Sequence, residues 1–414
     1  MKELAQIASA VQVSSTMAID ALAKQMKADG VDVIGFGAGE PDFNTPDHIK
    51  AAADRAIAGN LTRYTPASGT LALKETVCQR MREDCGVEYK PSQVVVSTGA
   101  KHCVYLALRA LVNPGDEVIL PAPYWVSYLE LIKMVCGRPV VVLSEEKDRF
   151  KMSVEQLAAA ITPKTKALIL NNPGNPTGMV YSREELEAIA KVCVEKDIYV
   201  ISDEIYYGLL YDGAQFVSAS ALGNKMKERT ILINGVSKSY AMTGWRIGYL
   251  LASERIAQVL GNYVSHSTGS PCTVSQAAAV AALSGSQDCV EEMRQAFEMR
   301  RNYLVDRINR MDGVSCLKPE GAFYVMMNVK KLLGTTICGQ RIQNSDAFST
   351  ALLKFGLVAT VPGSGFGADG FVRLSYSTSL EHIEKGMDRL EMFLNGNPEI
   401  CEKHLQTVKA LGIL

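Results

Sequence analysis

The chain has 414 residues, a formal net charge of −1 and 21% charged residues, long enough for two or three domains, or for one large and one smaller. No block of basic residues suggests a nucleic-acid or anionic-membrane partner. The start Met1-Lys2-Glu3-Leu4-Ala5 lacks the apolar core of a secretion signal, and no uninterrupted apolar run approaches membrane length, the Val94 to Val112 stretch being broken by Lys101, His102 and Arg109.

Residues Thr16 to Lys27 read as a helix, with Met17, Leu22 and Met26 on one side and Gly30 as a stop. Val31 to Phe36 reads as a strand and Gly37 to Asp42 as a loop. Thr45-Pro46 opens the next helix, threonine capping and proline in the first turn. The loop Tyr64 to Gly69 leads into a helix that ends at Gly86. From Gln93 to about Ala252 strands alternate with helices: Val94–Ser97, Glu117–Leu120, Pro139–Leu143, Ala167–Leu170, Ile198–Ile201 and Thr230–Ile233. Ser182-Arg183-Glu184-Glu185 is a capping box opening one of the intervening helices. This rhythm predicts an α/β fold with a mostly parallel sheet covered by helices on both faces. A helical tract from about Thr273 to Met311 ends the alternation. Strands at Phe323–Met327, Leu357–Val361 and Phe371–Ser375, with helices near Ser345–Phe355 and Leu380–Phe393, predict a second, smaller α/β domain joined by the N-terminal helix and strand. Ten cysteines without a C-x-x-C pair, most in apolar contexts such as Cys78, Cys103 and Cys193, read as buried free thiols in a reducing cytosol.

In a parallel α/β sheet ligands bind at the carboxyl ends of the strands, and the chemically loaded stretches fall there. Lys238 sits between two serines just after the apolar run Thr230–Ile233. Burial favours the neutral amine, which is the form that attacks an aldehyde and becomes a Schiff base; the plain alternative is a buried lysine satisfied by a carboxylate. Arg246, eight residues on, suits a phosphate clamp. Ser97-Thr98-Gly99-Ala100-Lys101 is a small-residue turn that presents backbone N–H groups to an anion at a helix start. Lys101 itself opposes the helix dipole, at about 0.3–1 kcal/mol where exposed, so it is either solvated or faces an anion. Asp203 ends a buried strand, where a carboxylate is costly without a cation or a capping role. Asn172 to Gly178 is a proline-glycine turn after another strand. Trp125 follows Pro121-Ala122-Pro123-Tyr124 and serves either the core or a ligand. Arg373 lies in the apolar strand Phe371–Ser375, an expensive position without a partner.

The pattern S-K-x-x-x-M-T-G-W-R-x-G-Y, carried by Ser237 to Tyr249, resembles the pyridoxal-phosphate lysine motif of the class I/II aminotransferases, nearest to the bacterial aspartate/aromatic branch. The remaining motifs follow in family order over nearly the whole chain. The resemblance implies a fold-type-I transferase, with residues 1–48 as an N-terminal arm and part of the small domain, 49–295 as the large cofactor-binding domain and 296–414 as the small domain. It implies pyridoxal 5′-phosphate as cofactor and no metal. Lys238 forms the aldimine of a ping-pong reaction and, once freed, moves the α-proton. Asp203 faces the pyridine nitrogen, while Asn175 and Tyr206 face the ring oxygen. Gly99, Ala100, Lys101, Ser237 and Arg246 surround the phosphate, and Tyr64 reaches the phosphate of a neighbouring subunit in a homodimer. Trp125 stacks on the cofactor, with Tyr124 as the lesser candidate. Arg373 clamps the substrate α-carboxylate beside the Gly39 backbone, and Lys101 faces the second carboxylate of a dicarboxylic substrate. The expected substrates are an amino acid, acidic or aromatic, and a 2-oxo acid such as 2-oxoglutarate, in the cytoplasm, with neither nucleic acid nor membrane as partner. A lyase or synthase of the same fold is the alternative enzyme; a cofactor-sensing transcription regulator would need a DNA-binding module ahead of this domain. The sequence departs from the family in two places. Gly235 stands where many relatives carry a phosphate-binding serine, and Gln12 and its neighbours lack the basic residue of some relatives that accept prephenate.

Overall fold

The computed structural model describes residues 2–11, 15–398 and 400–402. Its centre is a seven-stranded sheet. Along the sheet the strands run Val94–Ser97, Gly248–Leu251, Thr230–Gly235, Tyr199–Asp203, Thr165–Asn171, Glu117–Ala122 and Arg138–Leu143. Neighbours are parallel except at Gly248–Leu251, which runs antiparallel to both strands beside it. The unbroken β-branched runs of the inner strands are explained by burial on both faces. Alternate side chains point to opposite faces, so Val95, Ile231, Ile233 and Leu250 join one core, with Cys103 and Leu106 from the helix after the first strand. Val94, Val96, Leu232, Tyr249 and Leu251 join another on the opposite side. The capping box forms as read: Ser182 Oγ accepts from Glu185 N at 3.2 Å, and Glu185 Oε2 accepts from Ser182 N at 2.7 Å.

A four-stranded antiparallel sheet forms the second layer system, in the order Val361–Pro362, Phe371–Ser375, Tyr324–Asn328, Ser315–Cys316. The N-terminal segment pairs Ile34–Gly35 with Val358–Ala359 in a separate parallel two-stranded sheet, and Phe36 O accepts from Ser375 N at 2.8 Å. Two predicted strands are therefore shorter than read. Val31–Phe36 reduces to two ladder residues, because the chain leaves at Gly37 for the pocket loop. Leu357–Val361 splits, because Val361–Pro362 departs to pair with Phe371–Ser375. The long helical tract is two helices, Thr273–Ser284 and Asp288–Arg310.

Two further expectations are corrected. Thr45 does not cap its helix, Asp47–Ala58, whose N-cap is Pro46; its hydroxyl donates to Ala241 O at 2.7 Å and accepts from Trp245 Nε1 at 3.0 Å. The cysteines are not all buried thiols: Cys136 and Cys272 are exposed, and Cys338 pairs with Cys401 in a disulfide with Cα atoms 5.2 Å apart. That bridge joins a hairpin to the C-terminal helical turn across a separation of 63 residues, and the spacing of cysteines along one chain does not reveal such a pairing. Among the described residues no helix is long and apolar enough to cross a membrane.

Candidate active site

The strands ending in Ser97, Ala122, Asn171, Asp203 and Gly235 all finish at one edge of the large sheet, and the antiparallel strand begins there, at Gly248. This reversal brings Arg246 to the same edge as Lys238. Gly248 pairs with both Gly235 and Ser97, and a Cβ on Gly248 would stand 2.3 Å from Ala100 N. Gly235 is under the same pressure: a Cβ there would meet Ile247 O at 2.9 Å, so a serine does not fit while this strand runs so close.

Between these strand ends lies a cavity of about 330 Å³. Of the residues singled out in the sequence, Gly39, Ala100, Lys101, Trp125, Asn175, Asp203, Tyr206, Ser237, Lys238, Arg246 and Arg373 line it. Lys238 Nζ donates to Gly39 O at 2.6 Å. Burial pulls its pKa down to about 8, with the charge of Glu40 opposing the shift. Arg246, in the left-handed region at φ 55°, donates from Nη1 to Thr243 O at 2.8 Å and from Nη2 to Thr98 O at 3.4 Å. Gly99 lies beneath that guanidinium: its φ is +89° and a Cβ would stand 2.5 Å from Nη2. Gly99 thus shapes the site without lining it, and the Ala100–Leu111 helix begins at the next residue.

Asp203 is buried. Burial raises its pKa, while bonds from the Tyr128 hydroxyl to Oδ2 at 2.6 Å and from Ile205 N to Oδ1 at 3.3 Å favour the carboxylate. Arg373 donates from Nη1 to Asn175 Oδ1 at 3.1 Å and from Nη2 to Gly37 O at 3.0 Å. Its Nε is buried with no hydrogen-bond partner among the described residues. Two aromatic faces, Tyr324 at 4.4 Å and Phe366 at 5.1 Å, support the cation, and burial lowers its pKa. Lys101 Nζ lies 5.1 Å over the Trp125 ring; burial first, then the Arg246 charge, lowers its pKa. Trp125 is on the cavity wall, whereas Tyr124 turns into the core behind it.

The loop that brings Gly39 is fastened on three sides. Thr243 Oγ1 donates to Glu40 Oε2 at 2.6 Å. Arg300 holds Asp42 with bonds of 2.7 and 3.1 Å, and Thr45 reaches the segment after Lys238.

Tyr64 is not brought to the cavity within this chain; it is fully exposed, on a separate patch with Leu61, Arg63 and Cys272. Gln12 lies outside the described residues. Sequence reasoning missed Tyr128, Tyr324, Thr243 and Phe366. Tyr128 offered a faint signal, a polar tip three residues past Trp125 at a helix start; the others become site residues only through tertiary contact.

Residues 31–390 match the family described as aminotransferase class I and II. The aspartate aminotransferase of Bacillus subtilis is 49% identical over 392 residues, which cover 95% of this chain and 99% of that protein. The crystal structure of the Rhizobium meliloti aspartate aminotransferase has a TM-score of 0.93 at 38% identity, covering 95% of this chain and 99% of that one. The Thermus thermophilus aspartate aminotransferase with maleate gives 0.89 at 38% identity, covering 95% and 100%.

Proposed function

The chain belongs to the class I and II aminotransferases, and from that premise we propose that it moves the α-amino group of aspartate, or of another acidic or aromatic amino acid, to a 2-oxo acid such as 2-oxoglutarate. The observation that carries this reading is the cavity that holds both a lysine poised near neutrality and a desolvated arginine with an unpartnered N–H. A lyase or synthase of the same fold is not favoured, since the named relatives are aminotransferases.

The donor set fits pyridoxal 5′-phosphate. Arg246, Ser237 and the turn at Gly99, Ala100 and Lys101 suit its phosphate. Asp203, supported by Tyr128, suits a protonated ring nitrogen; Asn175 and Tyr206 suit the ring oxygen, and the flat face of Trp125 suits the ring. When bound, the cofactor supplies an aldehyde that condenses with amines and a ring that accepts the electrons left when an α-proton departs. Lys238, titrating at about 8, is the base that takes the α-proton and returns it, since a catalytic pKa near the working pH is the effective one. Arg373 binds the α-carboxylate, which supplies a partner for its buried charge, beside the Gly39 backbone. Lys101 binds the second carboxylate of a dicarboxylic substrate, an anion that also relieves its position in a first helical turn. The three ties on the 37–45 loop hold Gly39 against Lys238.

Tyr64 serves the phosphate of a neighbouring subunit, so the active unit in this proposal is a homodimer. The division of the chain into 1–48, 49–295 and 296–414, and a cytoplasmic location, belong to the same reading. The experiment is a panel of half-reactions. Purified holoenzyme is mixed with single amino acids, and the loss of cofactor absorbance is followed. Aspartate and glutamate should react fastest, with aromatic donors next; an enzyme that stays unchanged with all of them overturns the reading.

A further inference from the structure

Four side chains of the cavity wall close into a ring of contacts, and one of them, Tyr324, has no part in the scheme above. Its hydroxyl oxygen lies 2.9 Å from that of Tyr206. Its ring carries the Arg373 guanidinium at 4.4 Å. Arg373 donates to Asn175 Oδ1 at 3.1 Å, and Asn175 Nδ2 donates back to the Tyr206 oxygen at 3.5 Å. Sheet geometry accounts for the meeting. Tyr324 pairs with Ser375 and Met326 with Arg373, so Tyr324 and Arg373 are diagonal neighbours on one face, within reach of long side chains.

Either hydroxyl can donate across the 2.9 Å contact, and the count of protons decides between them. Asn175 Nδ2 is a donor only, so the Tyr206 oxygen accepts from it. Tyr206 has a single proton, and on the reading above that proton goes to the cofactor's ring oxygen, which leaves the Tyr324 hydroxyl as the donor between the two phenols. The Tyr206 oxygen then accepts twice. A hydroxyl whose oxygen accepts a hydrogen bond is itself a stronger donor.

We propose, on the reading of Tyr206 as a partner of the cofactor's ring oxygen, that Tyr324 is a positioning residue: its hydroxyl donates to Tyr206 and so aims the Tyr206 proton into the pocket. Its ring, under Arg373, ties that aim to the carboxylate clamp through the same side chain.

The test is a pH titration of the visible absorbance of the holoenzyme. A donor to the ring oxygen stabilises its anion, and so the deprotonated form of the chromophore. Tyr206→Phe should therefore move the midpoint to higher pH. Tyr324→Phe should move it the same way by about a tenth to a third of that amount, the size of one cooperative hydrogen bond. In a Tyr206→Phe background the second substitution should add no shift. Tyr324→Phe should lower kcat and leave the KM for amino donors unchanged, because phenylalanine keeps a ring under Arg373; Tyr324→Leu should raise KM as well. An unmoved midpoint in Tyr324→Phe beside a clear shift in Tyr206→Phe overturns the proposal, and so does an equal shift in both backgrounds. If Tyr206→Phe itself leaves the midpoint unmoved, the premise about Tyr206 fails first and is identified as the failing part.

Discussion

Burial weakens the hold of Lys238 on its proton without removing it at neutral pH, and that shift is measurable without any turnover. Its folded pKa of about 8 lies below the ~10.4 of an unfolded lysine. Between those values the unfolded chain carries a proton that the folded chain lacks, so stability rises with pH across that window. The penalty is fully present below about 8. Lys238→Met should accordingly stabilise the cofactor-free protein by about 1–2 kcal/mol near neutral pH, after discounting for solvent in the cavity, and the advantage should fade as the pH rises. Urea unfolding of both proteins along a pH series checks this; parallel curves would mean a solvated lysine. Arg373 and Lys101 divide recognition differently. Arg373 is buried and meets what every amino acid has, so Arg373→Ala should lower kcat/KM for acidic and aromatic donors alike, by at least the ~1.5–3 kcal/mol of a charge-assisted bond. Lys101→Ala should cost a similar amount for aspartate and glutamate and leave phenylalanine nearly unchanged. Equal losses across both donor classes in Lys101→Ala would assign that lysine to the cofactor or the fold.

The turn between the Val94–Ser97 strand and the Ala100–Leu111 helix carries a demand that a single atom exposes. With φ at +89° and a Cβ position 2.5 Å from Arg246 Nη2, Gly99→Ala displaces the guanidinium as well as straining the backbone. A crowded substitution of this kind costs about 1–3 kcal/mol. The expected outcome is a modest fall in Tm together with a weakened affinity for pyridoxal 5′-phosphate in equilibrium dialysis; unchanged affinity would separate the turn from the phosphate. The same element shows what sequence reading can and cannot see. The turn from strand to helix was legible from its small residues, and its service to an anion belongs to the proposal. That Arg246 caps it was legible only as a family pattern, because the contact depends on one strand running against the others. Thr45 failed as a cap for a similar reason: its hydroxyl found Ala241 and Trp245, nearly two hundred residues away in the chain, in place of its own helix.

A composite site across two subunits is the molecular expectation attached to Tyr64, a large side chain that is fully exposed in the single chain. Tyr64→Phe alone should weaken cofactor binding and activity. When Lys238→Ala subunits are mixed with Tyr64→Phe subunits, each hybrid dimer should regain one intact site, with Lys238 from one subunit and Tyr64 from the other. Subunit exchange followed by an activity assay checks it. Mixtures no more active than the Tyr64→Phe protein alone would return Tyr64 to its own chain, and a fully active monomer in sedimentation would refute the dimer.

By itself the sequence determined the βαβ rhythm, the buried strands, the capping box at Ser182 and the chemistry-bearing residues at the strand ends. These follow from local periodicity and from the expense of placing Lys238, Asp203 and Arg373 beside apolar runs. Tertiary structure alone decided the partners. Tyr128 under Asp203, Tyr324 between Tyr206 and Arg373, the glycine at 235 where an antiparallel strand presses close, and the Cys338–Cys401 bridge all join segments far apart in the chain. A local pattern records what a residue prefers. It does not record which distant strand or helix packing will bring within hydrogen-bonding distance, because burial of apolar surface fixes that arrangement without regard to sequence separation.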